Sequence, residues 1–134
     1  MRRRNHRWLP AALLVVAVGT AQGAADTLIA GYRQAGAGPF DAGAGAQAWV
    51  QEHQPAGANA PRSCATCHGR DLTRPGRHTT TGKVIEPMAP SVNPTRLSDS
   101  TKTERWLGRN CRWTLGRDCT AQEKGDFLSF IQTR

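Results

Sequence analysis

The sequence predicts a single small all-α domain of about four helices behind an N-terminal export leader. Three observations predict it. Capped segments with apolar residues at helical spacing recur between residues 26 and 132. No stretch alternates apolar and polar residues as a half-buried strand would, and no internal repeat divides the chain.

The leader comes first. Four arginines within Met1–Arg7 precede the apolar run from Trp8 to Gly19, and small residues follow, with Ala21-Gln22-Gly23 or Gly23-Ala24-Ala25 as the cleavage site. This is the secretory pattern. A bilayer span needs roughly 20 apolar residues, so the run reads as a cleaved signal rather than a retained anchor. No hydrophobic consensus follows Arg2-Arg3-Arg4 directly, which favours the general export route. The expected division is therefore a signal peptide over residues 1–25 and one domain over residues 26–134, located in the periplasm with no stable membrane insertion after cleavage. Formal net charge is +8 for the whole chain and falls to +4 once Arg2, Arg3, Arg4 and Arg7 leave with the signal. An exported domain with so modest an excess is not a nucleic-acid binder. The local cluster Arg105, Arg109, Arg112 and Arg117 suits an acidic redox partner better.

The helices follow in order. Asp26–Ala35 places Leu28, Ile29 and Tyr32 on one side, and Gly36 to Pro39 ends it. Asp41 caps a second helix through about Gln51, with Gly45 and Trp49 one turn apart. A loop from Pro55 to Arg62 leads to Ser63-Cys64-Ala65-Thr66-Cys67-His68. From Gly69 to Pro94 the chain is broken by proline and glycine and reads as a wrapping loop, and a loop of that length in a compact domain is usually functional. Ser98 or Asp99 caps a third helix through about Arg109, with Trp106 and Leu107 facing inward. Thr120-Ala121-Gln122-Glu123 is a capping box that opens a last helix to about Gln132. Its stripe of Phe127, Leu128, Phe130 and Ile131 is core.

The four cysteines form two couples, Cys64 with Cys67 and Cys111 with Cys119. The first stands in Cys-x-x-Cys-His. Two thiols three residues apart reach the two vinyl groups of one porphyrin, and the adjacent His68 is carried under the iron as proximal ligand. This predicts one covalently attached haem c. A zinc site would need the second couple, whose seven intervening residues are poor ligand spacing. A redox dithiol would want a βαβ context that the chain lacks. Neither explains a histidine directly after the second cysteine.

The residues alone leave the sixth iron position open between Asn110, Met88 and no ligand. Met88 sits in Glu86-Pro87-Met88-Ala89-Pro90, a proline-rich loop of the kind that supplies a methionine in small monohaem cytochromes, but it precedes the third helix. The window between the last two helices, Gly108 to Cys119, holds Asn110, Cys111 and Cys119 and no Met or His. If Cys111 and Cys119 pair, they close a nine-residue loop and stiffen the segment beside Asn110. An amide oxygen is a weak, hard donor that favours ferric iron. The bland reading of Asn110 is a left-handed helix end. His53 and His78 read as surface residues, Trp106 and Trp113 as packing against haem or core, and Arg109 and Arg112 as solvated.

The chain resembles the sphaeroides haem protein family of oxygen-binding monohaem cytochromes c, which are class I-like. The matching residues are Leu28-Ile29-Ala30-Gly31-Tyr32, Ser63-Cys64-Ala65-Thr66-Cys67-His68-Gly69, Thr81-Gly82-Lys83, Pro87-Met88-Ala89-Pro90, Trp106-Leu107-Gly108-Arg109-Asn110-Cys111 and Gly116-Arg117-Asp118-Cys119-Thr120. They span nearly the whole of residues 26–134. The resemblance implies His68 as proximal ligand and Asn110 as a ferric-state ligand that swings away on reduction. It also implies a Cys111–Cys119 disulfide, oxygen or nitric oxide at the vacated position, and a dihaem cytochrome as electron donor. Plain electron transfer with His68 and Met88, and a haem-dependent gas-reducing enzyme, are the alternatives. Ligand binding and electron transfer are favoured over turnover.

Overall fold

The structure is a computed structural model that describes residues 21–134. Most of the expected leader lies outside the described residues. Helix α1 (Ala21–Gln34) begins five residues ahead of the expected domain start, and Ala25 within it is fully buried. The other helices are α2 (Ala42–Val50), the single turn α3 (Ala65–His68), α4 (Ser100–Leu115) and α5 (Ala121–Gln132). Among the described residues no helix is long and apolar enough to cross a membrane.

Helix α5 is the hub. The capping box forms as the sequence predicts: Glu123 N–H donates to Thr120 Oγ1 at 3.1 Å, and Thr120 N–H donates to Glu123 Oε2 at 2.8 Å. Arg117 adds a bidentate pair to the Glu123 carboxylate at 2.8 and 2.7 Å. That pairing is the main reason the Glu123 carboxyl lies at about 2. Phe127, Leu128, Phe130 and Ile131 are all buried and form the centre of the core. Helix α2 crosses α5 closely at Gly45, where a Cβ would overlap the Asp126 carbonyl and stand 2.9 Å from Phe130 Cβ. The entry to α2 is strapped down by Asp41 N–H to Asp126 Oδ1 at 2.8 Å and Gly38 N–H to Gln122 Oε1 at 2.7 Å. Helix α1 covers α5 and α4 with Ala25 and Ile29 buried at one-turn spacing. Tyr32 donates to Glu104 of α4, which also pairs with Lys124 of α5, so three helices meet on one carboxylate. Burial opposes ionisation of Glu104, but those two partners outweigh it and hold its carboxyl below the ordinary range.

Three expectations need correction. Helix α4 does not stop near Arg109 but runs to Leu115, capped by Asp99 at its start and by left-handed Gly116 (φ 74°) at its end. Asn110 is a poor helix former but not a breaker, and Gly116 is the first residue whose conformational freedom ends the helix at low cost. Trp106 and Leu107 do not both face inward. Neighbours on a helix point about 100° apart, and the inward stripe is Leu107, Cys111 and Thr114, which leaves Trp106 47% exposed. Finally, the 69–94 segment contains a small antiparallel hairpin, β1 (Gly76–Arg77) and β2 (Val84–Ile85), paired Gly76 to Ile85 and Arg77 to Val84. Two residues per strand are too few to show alternation in sequence.

Candidate haem site

Cys64, Cys67 and His68 occupy one turn. Cys64 precedes α3, and the His68 N–H donates to the Cys64 carbonyl at 3.1 Å. The turn is set up by Ser63, whose buried N–H donates to Thr66 Oγ1 at 2.8 Å. It is ended by Gly69 at φ 75°, ψ 175°, a conformation essentially confined to glycine. Trp49 Nε1 donates to the Gly69 carbonyl at 2.9 Å, and its ring lies 5.5 Å from the His68 ring, tilted by 45°. Trp49 also meets Phe127 and Phe130, so the histidine rests directly on the helical core.

The hairpin packs on the other side of the turn. A Cβ at Gly76 would overlap the Cys67 carbonyl oxygen and stand 2.8 Å from His68 Cα. Thr79 Oγ1 is 3.7 Å from Cys67 Sγ. Glycine at position 76 and the aromatic wall at Trp49 are contributions that sequence reasoning missed. The sequence places Trp49 only one turn from Gly45 on the second helix, and no linear signal marks a glycine that touches a turn nine residues away.

Neither thiol of the motif is used by the protein, since Cys64 and Cys67 are both free. Burial pushes the Cys64 thiol up to about 12. Burial also pulls His68 down to about 4, with the Arg96 guanidinium adding to the effect, so its imidazole is neutral and available as a donor. Arg96 is itself half-buried and donates from Nε to Pro87 O at 3.0 Å and from Nη2 to Glu86 O at 2.7 Å. These bonds, with Met88 N–H and Ala89 N–H to Leu72 O at 3.0 and 2.9 Å, fix the Met88 loop while the Met88 side chain packs against the core.

Asn110 lies inside α4, not at its end, so the left-handed cap reading does not hold; that role belongs to Gly116. The residue is half-buried, its side chain makes no hydrogen bond among the described residues, and its amide is not among the buried atoms left without a partner, so solvent reaches it. Trp106 and Trp113 flank it on the same helix face, one turn away on either side. The Arg62 guanidinium sits 4.4 Å over the Trp113 ring, and the Arg109 guanidinium 5.1 Å over the Trp106 ring. The next residue, Cys111, is bonded to Cys119 with Cα atoms 5.5 Å apart. The second couple is thus spent on itself, which removes the donors a zinc site would need. His53 and His78 are half-buried and locally engaged: the backbone of His53 bridges to Arg62, and His78 Nδ1 accepts from Thr80 and Thr81 N–H at 3.2 Å each.

Comparison with known proteins decides the family. A family model described as a domain of unknown function, DUF1924, matches residues 35–131. The cytochrome c-type protein SHP of Cereibacter sphaeroides is 50% identical over 104 residues, covering 78% of this chain and 79% of that one. The chain belongs to the sphaeroides haem protein family. Cytochrome c'' of Methylophilus methylotrophus is 38% identical over 71 residues, covering 53% of this chain and 49% of that one. Among solved structures, oxidized SHP, described as an oxygen-binding cytochrome c, superposes with a TM-score of 0.75 at 45% identity and covers 82% of this chain and 96% of its own. Oxidized cytochrome c'' gives a TM-score of 0.71 at 28% identity, covering 83% and 94%.

As a member of the sphaeroides haem protein family, the chain has an all-α cytochrome c fold and one covalently attached haem c. The residues present fit that group. Two unpaired thiols and a neutral imidazole project from one turn, and His68 Nδ1 is the one buried side-chain nitrogen or oxygen among the described residues that lacks a partner.

Proposed function

We propose that this chain is a periplasmic monohaem cytochrome c that transfers electrons and takes up oxygen or another diatomic gas when Asn110 lets go of ferrous iron. Haem c supplies a one-electron couple and an iron able to accept a sixth ligand. Cys64 and Cys67 anchor it through thioethers, and His68, held against Trp49, is the proximal ligand. Asn110 is the distal ligand of the ferric state. Its amide oxygen is a hard donor, so its hold weakens as the iron gains an electron. Signal cleavage near residue 25 delivers the domain to the periplasm. The electron donor is another cytochrome, a dihaem cytochrome c by the family resemblance.

The observation that carries this reading is the unbonded Asn110 side chain inside α4. Asparagine is neutral to unfavourable at interior helix positions, so one that makes no bond to its own helix is free to serve as a ligand. Here the protein offers the Asn110 amide no hydrogen bond, and the neighbouring Cys111–Cys119 bond holds the backbone on which it is mounted. The experiment is an optical and potentiometric comparison of wild type, Asn110→Met and Asn110→Ala. Wild type turns high-spin on reduction and shows an oxygen spectrum. Asn110→Met raises the reduction potential and abolishes oxygen binding, and Asn110→Ala makes the ferric state high-spin. Unchanged oxygen spectra in Asn110→Met, or a wild-type oxidised band near about 695 nm, the mark of thioether ligation, overturn the reading in favour of Met88.

A further inference from the structure

Among the described residues one buried side-chain nitrogen or oxygen has no hydrogen-bond partner, and it is His68 Nδ1. Protein atoms alone close it off, so Nε2 is the ring nitrogen left for iron. A histidine bound to a metal almost always donates its second N–H to a carboxylate, a carbonyl or a water, and that bond makes the imidazole a stronger donor. Here the carbonyls around the turn are spent elsewhere. Cys64 O accepts from His68 N–H at 3.1 Å, Ala65 O from Gly69 N–H at 2.9 Å, and Gly69 O from Trp49 Nε1 at 2.9 Å. The Trp49 ring lies beside the imidazole, with centroids 5.5 Å apart. The charged group that bears on His68 is the Arg96 guanidinium, which can donate but not accept. Native structures keep few unpaired buried donors, and redox sites are among the places where they persist.

We propose that His68 is an unassisted proximal ligand, fixed by packing against Trp49 rather than by a hydrogen bond at Nδ1. This tunes the site for reversible gas binding over oxygen cleavage. The inference deepens the proposed function and rests on its assignment of His68. An electron-rich axial ligand pushes density across the iron, which favours breaking an O–O bond. A weakly donating imidazole withholds that push, so an oxygen molecule taken up on the opposite side leaves with its bond intact. The same weakness favours ferrous over ferric iron. Trp49 is thereby a positioning residue: its ring backs the imidazole, and its N–H occupies the Gly69 carbonyl.

The test compares the wild-type holoprotein with two variants. Trp49→Gln offers His68 an amide oxygen, and Phe130→Gln puts the same side chain into the same core, against Trp49. Each reduced protein is bound with carbon monoxide and flash-photolysed, and the iron–histidine stretch is read by resonance Raman scattering. Photolysis exposes that stretch whatever group holds the sixth position at rest, so failure of the Asn110 reading leaves the measurement intact. Trp49→Gln should raise the frequency and stabilise ferric over ferrous iron by about 10-fold, the lower end for partners of this kind. For one electron that lowers the potential by about 59 mV. Peroxide-driven dye oxidation should quicken by a similar factor. Phe130→Gln should lose thermal stability and leave frequency, potential and peroxide rate close to wild type. Equal shifts in both variants would assign the effect to a loosened core and overturn the proposal, as would an unshifted frequency in Trp49→Gln. A raised frequency with an unchanged peroxide rate would refute the link to oxygen cleavage. A crystal structure of the wild-type holoprotein decides the matter even if neither variant folds. An oxygen atom of protein or water within about 3.2 Å of Nδ1 overturns the proposal, and its absence supports it.

Discussion

Replacing Gly76 by alanine tests whether the hairpin holds the haem-binding turn in place. The added methyl would stand 2.8 Å from His68 Cα and 3.0 Å from the Cys67 carbonyl carbon, besides overlapping the Cys67 carbonyl oxygen. Carbon atoms in contact sit about 3.5–4.0 Å apart, so the strand or the turn must move by roughly 1 Å. All three obstructing atoms are backbone, and no side-chain rotation relieves them. Overpacking of this kind costs about 1–3 kcal/mol. In a domain of this size 1 kcal/mol is worth about 4–8 °C of melting temperature. Gly82→Ala is the control: Gly82 has φ 68° with nothing within 4 Å of its added Cβ, so alanine there meets only the left-handed backbone penalty of about 1–2 kcal/mol. The measurements are thermal unfolding, pyridine haemochrome content per chain, and the ferric optical spectrum. Both variants should lose stability, but only Gly76→Ala should lose covalent haem and shift the ferric bands. If Gly76→Ala keeps a full haem complement and an unaltered spectrum, the hairpin does not position Cys67 and His68.

Two further outcomes follow from the α4–α5 corner. The Cys111–Cys119 bond closes a loop of nine residues, for which chain entropy gives about 2.5 kcal/mol; C111S/C119S should show that loss in urea unfolding, with a ferric spectrum shifted toward high spin as Asn110 loses its fixed mounting. A loss below about 0.5 kcal/mol would mean that helix packing alone supplies the rigidity. The Glu123 carboxyl is lowered from 4.5 to about 2 chiefly by Arg117, so its ionised form stabilises the fold at neutral pH, and the contribution drains away as pH falls from about 4.5 toward about 2. Glu123→Gln should flatten acid unfolding across that window at a neutral-pH cost of about 1 kcal/mol, typical of a lost cap; an unaltered acid limb would show that other carboxylates govern it.

Much of the fold was legible because its signals are local. Asp41, Asp99 and Thr120 each cap the helix that follows, through bonds to backbone two or three residues on. The Cys64-Ala65-Thr66-Cys67-His68 turn is local in the same sense. What failed was set by contacts and helix geometry that composition and spacing do not display. The end of α4 is set by left-handed Gly116, so a weak helix former at position 110 reads as a boundary in sequence without being one. The hairpin depends on Gly76 touching Cys67, and two-residue strands carry no periodicity to read. Trp106 was assigned inward because apolar residues are expected inside, yet one helix cannot turn adjacent positions to the same side.

The relocation of Asn110 from a helix end to a helix interior bears directly on the proposed chemistry. A distal ligand at a frayed terminus would leave and return by moving backbone, with loop entropy opposing each return. Mounted within α4, beside the cysteine bonded to Cys119, Asn110 would change position chiefly by rotating its own side chain. Under the proposed function, ligand release would then be a rotation of one side chain on a fixed backbone, a change that one electron at the iron would need to bias by only a few kcal/mol, about the scale of ordinary two-state switches. The half-buried amide with no protein partner fits this arrangement, because a hydrogen bond to the fold would hold Asn110 in one of the two positions and oppose the switch.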